Sequence, residues 1–155
     1  DIARQAGQLN ARLLAAAVPE SGQVAGQLVS LPGRAQLLVP PYQVDQLDDE
    51  SMGGQVRFGR HYLGSNGAVH GGAISLLFDD VLGRLAAASG RPRSRTAYLH
   101  VDYRSVTPIE ADLQIEARVE KEEGRKRFLH GVLRDRGRLC AESAGLFVAL
   151  RPGQS

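Results

Sequence analysis

Between residues 71 and 89 apolar side chains fall almost all round a helical wheel: Ala73, Ile74, Leu76, Leu77, Phe78, then Val81, Leu82, Leu85 and Ala86. A helix apolar on most of its circumference is one buried by the rest of the fold. The pattern predicts a helix from Gly71 to about Ser89, stopped by Gly90 and Pro92. At the usual rise it is roughly 27 Å long, enough to cross a whole sheet. The C-terminal half changes period. Leu113, Ile115, Ala117 and Val119 alternate with Gln114, Glu116, Arg118 and Glu120, the signature of a half-buried strand. Turns at Glu122-Glu123-Gly124 and Asp135-Arg136-Gly137 divide this half into strands at 113–121, 125–134 and 138–150. An earlier strand, 95–106, ends at Thr107-Pro108. Before the helix, strands are expected at 42–47 and 54–61, with a turn at 48–51 and a Gly-rich loop at 64–69. Residues 1–18 place Ile2, Gln5/Ala6, Leu9, Leu13 and Ala17 at helical spacing ahead of Pro19. The stretch 19–35 has loop composition, and Pro40-Pro41 breaks the chain again. Hairpin-linked strands and one long buried helix imply an α+β layer fold: an antiparallel sheet of five to six strands wrapped around a central helix, with an extra N-terminal helix. The division is an N-terminal extension over 1–50 and a main domain over 51–155.

Composition narrows the function. The 155 residues suit one core. Nineteen basic against 17 acidic residues leave a net charge of +2, and there is no Trp. A nucleic-acid surface would need a clustered basic face with stacking aromatics, so that partner is not expected. Cys140 is the only cysteine, which rules out an internal disulfide and fits a reducing, cytoplasmic setting. No apolar run reaches the roughly 18 residues that span a bilayer. The sequence opens on Asp1 rather than Met, so a targeting segment ahead of it is neither implied nor excluded. His61, His100 and His130 share no ligand spacing, so no metal is expected. No phosphate-binding glycine motif of the P-loop or dinucleotide type is present.

The chemistry concentrates in Gly67-Ala68-Val69-His70-Gly71-Gly72-Ala73-Ile74-Ser75-Leu76-Leu77-Phe78-Asp79-Asp80-Val81-Leu82-Gly83. Gly71 and Gly72 open the helix, and its first N–H groups carry no intrahelical partners and the positive end of the dipole. Such donors can hold a carbonyl oxygen as it gains charge. Two turns on, Asp79 and Asp80 stand in an apolar run, where a buried carboxylate is costly unless paired or used. Asp80 has Arg84 at i+4 and is expected to pair with it. Asp79 has only Ser75 at i−4, which marks it as the free acid, able to activate water or act as a nucleophile itself.

The run His-Gly-Gly-Ala-x-x-x-Leu-x-Asp-x-x-x-Gly over residues 70–83 resembles the signature of hotdog-fold acyl-CoA thioesterases of the phenylacetate-degradation type. The resemblance covers roughly residues 52–150. It implies that Asp79 is the general base or nucleophile and that the Gly71 N–H polarises the thioester carbonyl. Residues 96–103 followed by Pro108 are similar to the family's strand after the helix, which implies that Thr96 faces the site and orients the attacking water. Some relatives carry an Asn six positions before the His. Here that place is Gly64, and Asn66 either substitutes for it from a shifted loop or is a turn residue. His70 either orders the thioester end or caps the loop. Gly72 extends the bare-amide entry. Arg93 and Arg95, in the run 91–95, are candidates for the phosphates of coenzyme A, as is the run 125–127; a solvated surface is the alternative for both.

The resemblance implies an acyl-CoA substrate, no cofactor beyond the coenzyme A of the substrate, and a homodimer or homotetramer with sites between subunits. The strand at 95–103 or that at 144–149 is suited to continue the sheet across a two-fold axis. Two other functions stay open: a non-catalytic acyl-CoA or acyl-chain binder on the same fold, and, less well supported by the motif, a dehydratase acting on hydroxyacyl thioesters.

Overall fold

A computed structural model describes residues 1–28 and 31–154. The element order is α1 (Ile2–Ala15), β1 (Tyr42–Leu47), β2 (Ser51–Val56), α2 (Gly71–Ala86), β3 (Ser94–Tyr103), β4 (Leu113–Glu123), β5 (Lys126–Asp135) and β6 (Arg138–Ala149). The six strands form one antiparallel sheet in the order β1-β2-β4-β5-β6-β3. It curls around α2, the sheet-wrapped helix that the sequence implies. Strand β3 pairs with β6 on one side only, so its other edge is open.

Helix α2 is seated by residues spaced along one broad side: Ala73, Ile74, Leu77, Phe78, Val81, Leu82, Leu85 and Ala86 are all buried. They face the inner side of the sheet, where the register aligns Ile115 with Leu133, Leu129 with Gly145, and Gly131 with Ser143. Small residues on that face let the helix approach closely. A Cβ at Gly131 would come to 3.0 Å of the Phe78 ring, and one at Gly145 to 3.0 Å of Leu82. Fully burying one side chain such as Phe78 contributes roughly 1.5–3 kcal/mol. Ser143 Oγ is buried on this face with no hydrogen-bond partner among the described residues.

The C-terminal end of α2 is tied by arginines. Arg127 donates to the carbonyl of Ala86 and pairs with Glu122 at 3.1 Å, and Arg91 reaches Glu122 at 3.1 Å and the Asp49 carbonyl at 2.6 Å. Cations at the negative end of a helix dipole stabilise it. Burial, then the neighbouring Arg91, holds the Arg127 guanidinium below its usual pKa.

Several boundaries differ from those read in the sequence. Strand β2 starts at Ser51 and ends at Val56, not 54–61, because Asp48 closes the turn itself: its Oδ1 accepts from the N–H groups of Glu50 (2.8 Å) and Ser51 (2.7 Å). Helix α2 ends at Ala86, after which Ser89 and Gly90 take positive φ. Helix α1 ends at Ala15, short of the expected stop before Pro19, and none of its residues is buried. No helix among the described residues is long and apolar enough to cross a membrane.

Candidate active site

Gly71, Ser75 and Asp79 recur every fourth residue and therefore form one stripe along α2. Strand β3 runs beside it and meets it at both ends. Thr96 Oγ1 donates to Asp79 Oδ1 at 2.9 Å. At the other end the Tyr103 phenol donates to the Gly71 carbonyl at 2.9 Å and lies 3.0 Å from Ser75 Oγ.

The reach of Thr96 depends on a bulge. Thr96 stands opposite Phe147, whereas Tyr98 stands opposite Leu146, so Ala97 is an extra residue in β3. Leu99 and Val101 pack against the core, and Tyr103 touches α2. In an unbroken strand, period-2 alternation would put Thr96 on the opposite face from these residues. The extra residue turns Thr96 inward onto Asp79, the re-aiming role for which bulges beside sites are known.

Asp79 is exposed in the single chain rather than buried in an apolar run. The reason is angular: the 71/75/79 stripe lies on the flank of α2 toward the open edge of the sheet, away from the residues that fill the core. Asp79 pairs with no cation among the described residues, and Thr96 is its hydrogen-bond partner there.

The expected Asp80–Arg84 pair does not form. Asp80 instead receives Arg34 on Oδ1 and the Tyr42 hydroxyl on Oδ2 at 2.6 Å, with side-chain exposures of 13% for Asp80 and 18% for Arg34. Arg84 stacks over the Tyr42 ring, 6.0 Å from its centroid. An i+4 pair on a partly exposed helix is worth a few tenths of a kcal/mol, which partners converging on a half-buried carboxylate readily exceed. Burial first, then the Asp80 carboxylate, pushes the Tyr42 hydroxyl above its ordinary pKa. The asymmetry between the two acids remains, and the N-terminal extension supplies it.

His70 is the N-cap of α2: its Nδ1 accepts from the Gly72 N–H at 3.0 Å. The Gly71 N–H meets no acceptor among the described residues. Asn66 has φ of 49° and, with Gly67 at 74°, makes a tight turn closed by Ala68 N–H to Ser65 O at 2.8 Å. In the basic runs, Arg91, Arg125 and Arg127 are committed to backbone carbonyls. Arg93 and Arg95 are exposed and hold no acid among the described residues. His100 and His130 sit beside Asp102 (3.3 Å) and Glu142 (3.5 Å), away from the stripe. The sequence reading missed Ser75 and Tyr103 as site residues. The spacing of Ser75 from Asp79 was a signal for the first; nothing local marked Tyr103.

The family profile described as "Thioesterase superfamily" matches residues 66–141. A crystal structure described as a thioesterase superfamily protein is 31% identical and superposes with a TM-score of 0.76, covering 95% of this chain and 82% of that one. The chain belongs to the thioesterase superfamily, with the hotdog fold. Among curated relatives, acyl-coenzyme A thioesterase THEM4 of Mus musculus is 33% identical over 96 residues, 61% of this chain; the chain spans only 41% of that relative's length. A hypothetical thioesterase protein of Streptococcus pneumoniae, crystallised with coenzyme A, shares the fold at 16% identity and a TM-score of 0.65, covering 70% of this chain and 85% of that one.

Proposed function

We propose that the protein hydrolyses the thioester of an acyl-CoA, with Asp79 as general base or nucleophile. The observation that carries this reading is a carboxylate that has no cationic partner among the described residues, is oriented by Thr96 at 2.9 Å, and shares a helix stripe with a Gly71 N–H that meets no acceptor among them. Thr96 occupies one Asp79 oxygen, and the other is available to take a proton from water. In the general-base route, water attacks the thioester carbon and gives its proton to Asp79. The carbonyl oxygen becomes negative and the Gly71 N–H stabilises it. The C–S bond then breaks, the thiolate recovers the proton, and a carboxylic acid and coenzyme A thiol leave. In the nucleophile route, an Asp79 oxygen attacks the thioester carbon and expels the coenzyme A thiolate; water then cleaves the mixed anhydride to the carboxylic acid and the restored Asp79 carboxylate, and the proton it releases goes to the thiolate.

The geometry of a helix adds one requirement. Gly71 and Asp79 are eight residues apart, which is about 12 Å along the axis. One carbonyl group cannot touch both within a single chain. The reading therefore takes Asp79 from one subunit and Gly71 from another, across a two-fold axis beside the open edge of β3, in a homodimer or a larger assembly. Such an arrangement also covers Asp79 and supplies the low-dielectric setting in which the amide donor acts strongly. This reading assigns the coenzyme A phosphates to Arg93 and Arg95, which are exposed and hold no acid among the described residues. The name of the THEM4 relative, an acyl-coenzyme A thioesterase, supports the substrate class.

Thiol release over a panel of acyl-CoAs, from short aromatic to long-chain, tests the function. Release with at least one member is expected. Tight acyl-CoA binding with no release would make the protein a binder instead.

A further inference from the structure

We infer that Tyr103, backed by Ser75, is a positioning residue that fixes the peptide beside the Gly71 amide and so pre-aims the oxyanion donor. The inference rests on the thioesterase reading above for its catalytic consequence, but not for its structural half. Two successive glycines at a helix entry are the least constrained backbone the chain can offer. A donor on such a segment would wander unless something holds it, and a donor that must reorganise during reaction loses its advantage.

The peptide between Gly71 and Gly72 is held at both ends. Its N–H, on Gly72, is bonded to His70 Nδ1 at 3.0 Å. Its carbonyl, on Gly71, accepts from the Tyr103 hydroxyl at 2.9 Å, and Ser75 Oγ lies 3.4 Å from the same oxygen. Ser75 Oγ is 3.0 Å from the Tyr103 oxygen, so its hydroxyl can donate there while the phenol donates to the carbonyl. The ring also lies against Gly71: a Cβ there would come to 3.2 Å of the phenol oxygen and 3.3 Å of the ring carbon bearing it. With this plane locked, the preceding N–H, that of Gly71, is the one left without an acceptor among the described residues. Tyr103 therefore acts through the Gly71 backbone, not on the substrate.

Tyr103→Phe removes the hydroxyl and keeps the ring. The loss of one net hydrogen bond corresponds to a change of about two- to tenfold. Two readouts are expected to move together: kcat falls by that factor with KM unchanged, and amide exchange of Gly72 quickens by a similar factor while core amides keep their protection. Ser75→Ala moves both in the same direction by less. Unchanged Gly72 exchange in Tyr103→Phe overturns the pinning, and so does a kcat loss accompanied by a general fall in protection. If the wild-type protein releases no thiol from any acyl-CoA yet Gly72 exchange still quickens, the thioesterase reading fails and the pinning stands.

Discussion

Removing the Tyr42 hydroxyl is the sharpest structural test of how the two adjacent acids are told apart. Tyr42 donates to Asp80 at 2.6 Å, and Arg34 takes the other oxygen. A hydrogen bond to a charged acceptor contributes about 1.5–3 kcal/mol. Tyr42 is buried, but its acceptor Asp80 keeps 13% and Arg34 18% of their side-chain exposure, which points to the lower end, about 1.5–2 kcal/mol. In a chain of this size each kcal/mol moves Tm by about 2–4 °C, so Tyr42→Phe is expected to melt about 3–8 °C lower. The pH dependence has a definite sign. The folded-state pKa of Tyr42 is raised, chiefly by burial and then by Asp80. The contribution is therefore complete below the unfolded tyrosine value, about 10, and is lost as pH rises beyond it. The gap between wild type and Tyr42→Phe should be full at pH 7 and shrink above about pH 10. Thermal or urea unfolding across that range measures it. Thiol release at pH 7 should stay near wild type, because Asp80 lies off the 71/75/79 stripe. A Tyr42→Phe protein as stable as wild type, or a gap that persists unchanged through alkaline pH, would refute the reasoning.

Three other outcomes follow from the same geometry. Thr96→Val should lower kcat by about tenfold, the scale of one charge-assisted hydrogen bond, while Tm stays near wild type; steady-state thiol release checks it, and an unaltered kcat removes Thr96 from the site. Joint replacement of Arg93 and Arg95 by Ala should raise KM for acyl-CoA several-fold, leave kcat alone and flatten the salt dependence of KM; measurement over a salt series decides. Ser143→Ala deletes a buried, unpartnered hydroxyl and should be neutral or stabilising by up to about 1 kcal/mol in urea unfolding, whereas a large destabilisation would mean that Oγ has a partner.

What the sequence made legible was whatever periodicity encodes. The buried helix and the alternating strand β4 followed from side-chain spacing, since a one-residue slip would move each apolar set to the wrong face, and β5 and β6 followed from the Gly-containing turns that bound them. The bulge at Ala97 was not legible: bulged and regular strands share the same residue types, and the register with Phe147 and Leu146 reveals the extra residue. The partner of Asp80 was misread for a related reason. Spacing along one helix suggested Arg84, while Arg34 comes from 46 positions away through loops whose path no local pattern states. The exposure of Asp79 was hidden because apolar content around the motif reports on the whole helix, not on one stripe of it. Spacing also could not separate the committed arginines, 91, 125 and 127, from the exposed Arg93 and Arg95, because commitment depends on which carbonyls the fold brings near.

Replacement of Asp79 by Asn tests the central claim most directly, since it keeps the shape and the Thr96 contact while abolishing the proton acceptor. Thiol release from the best acyl-CoA of the panel should drop by about 10²–10⁴ in kcat, with Tm and coenzyme A affinity unchanged. An Asp79→Asn protein that turns over at the wild-type rate would contradict the account.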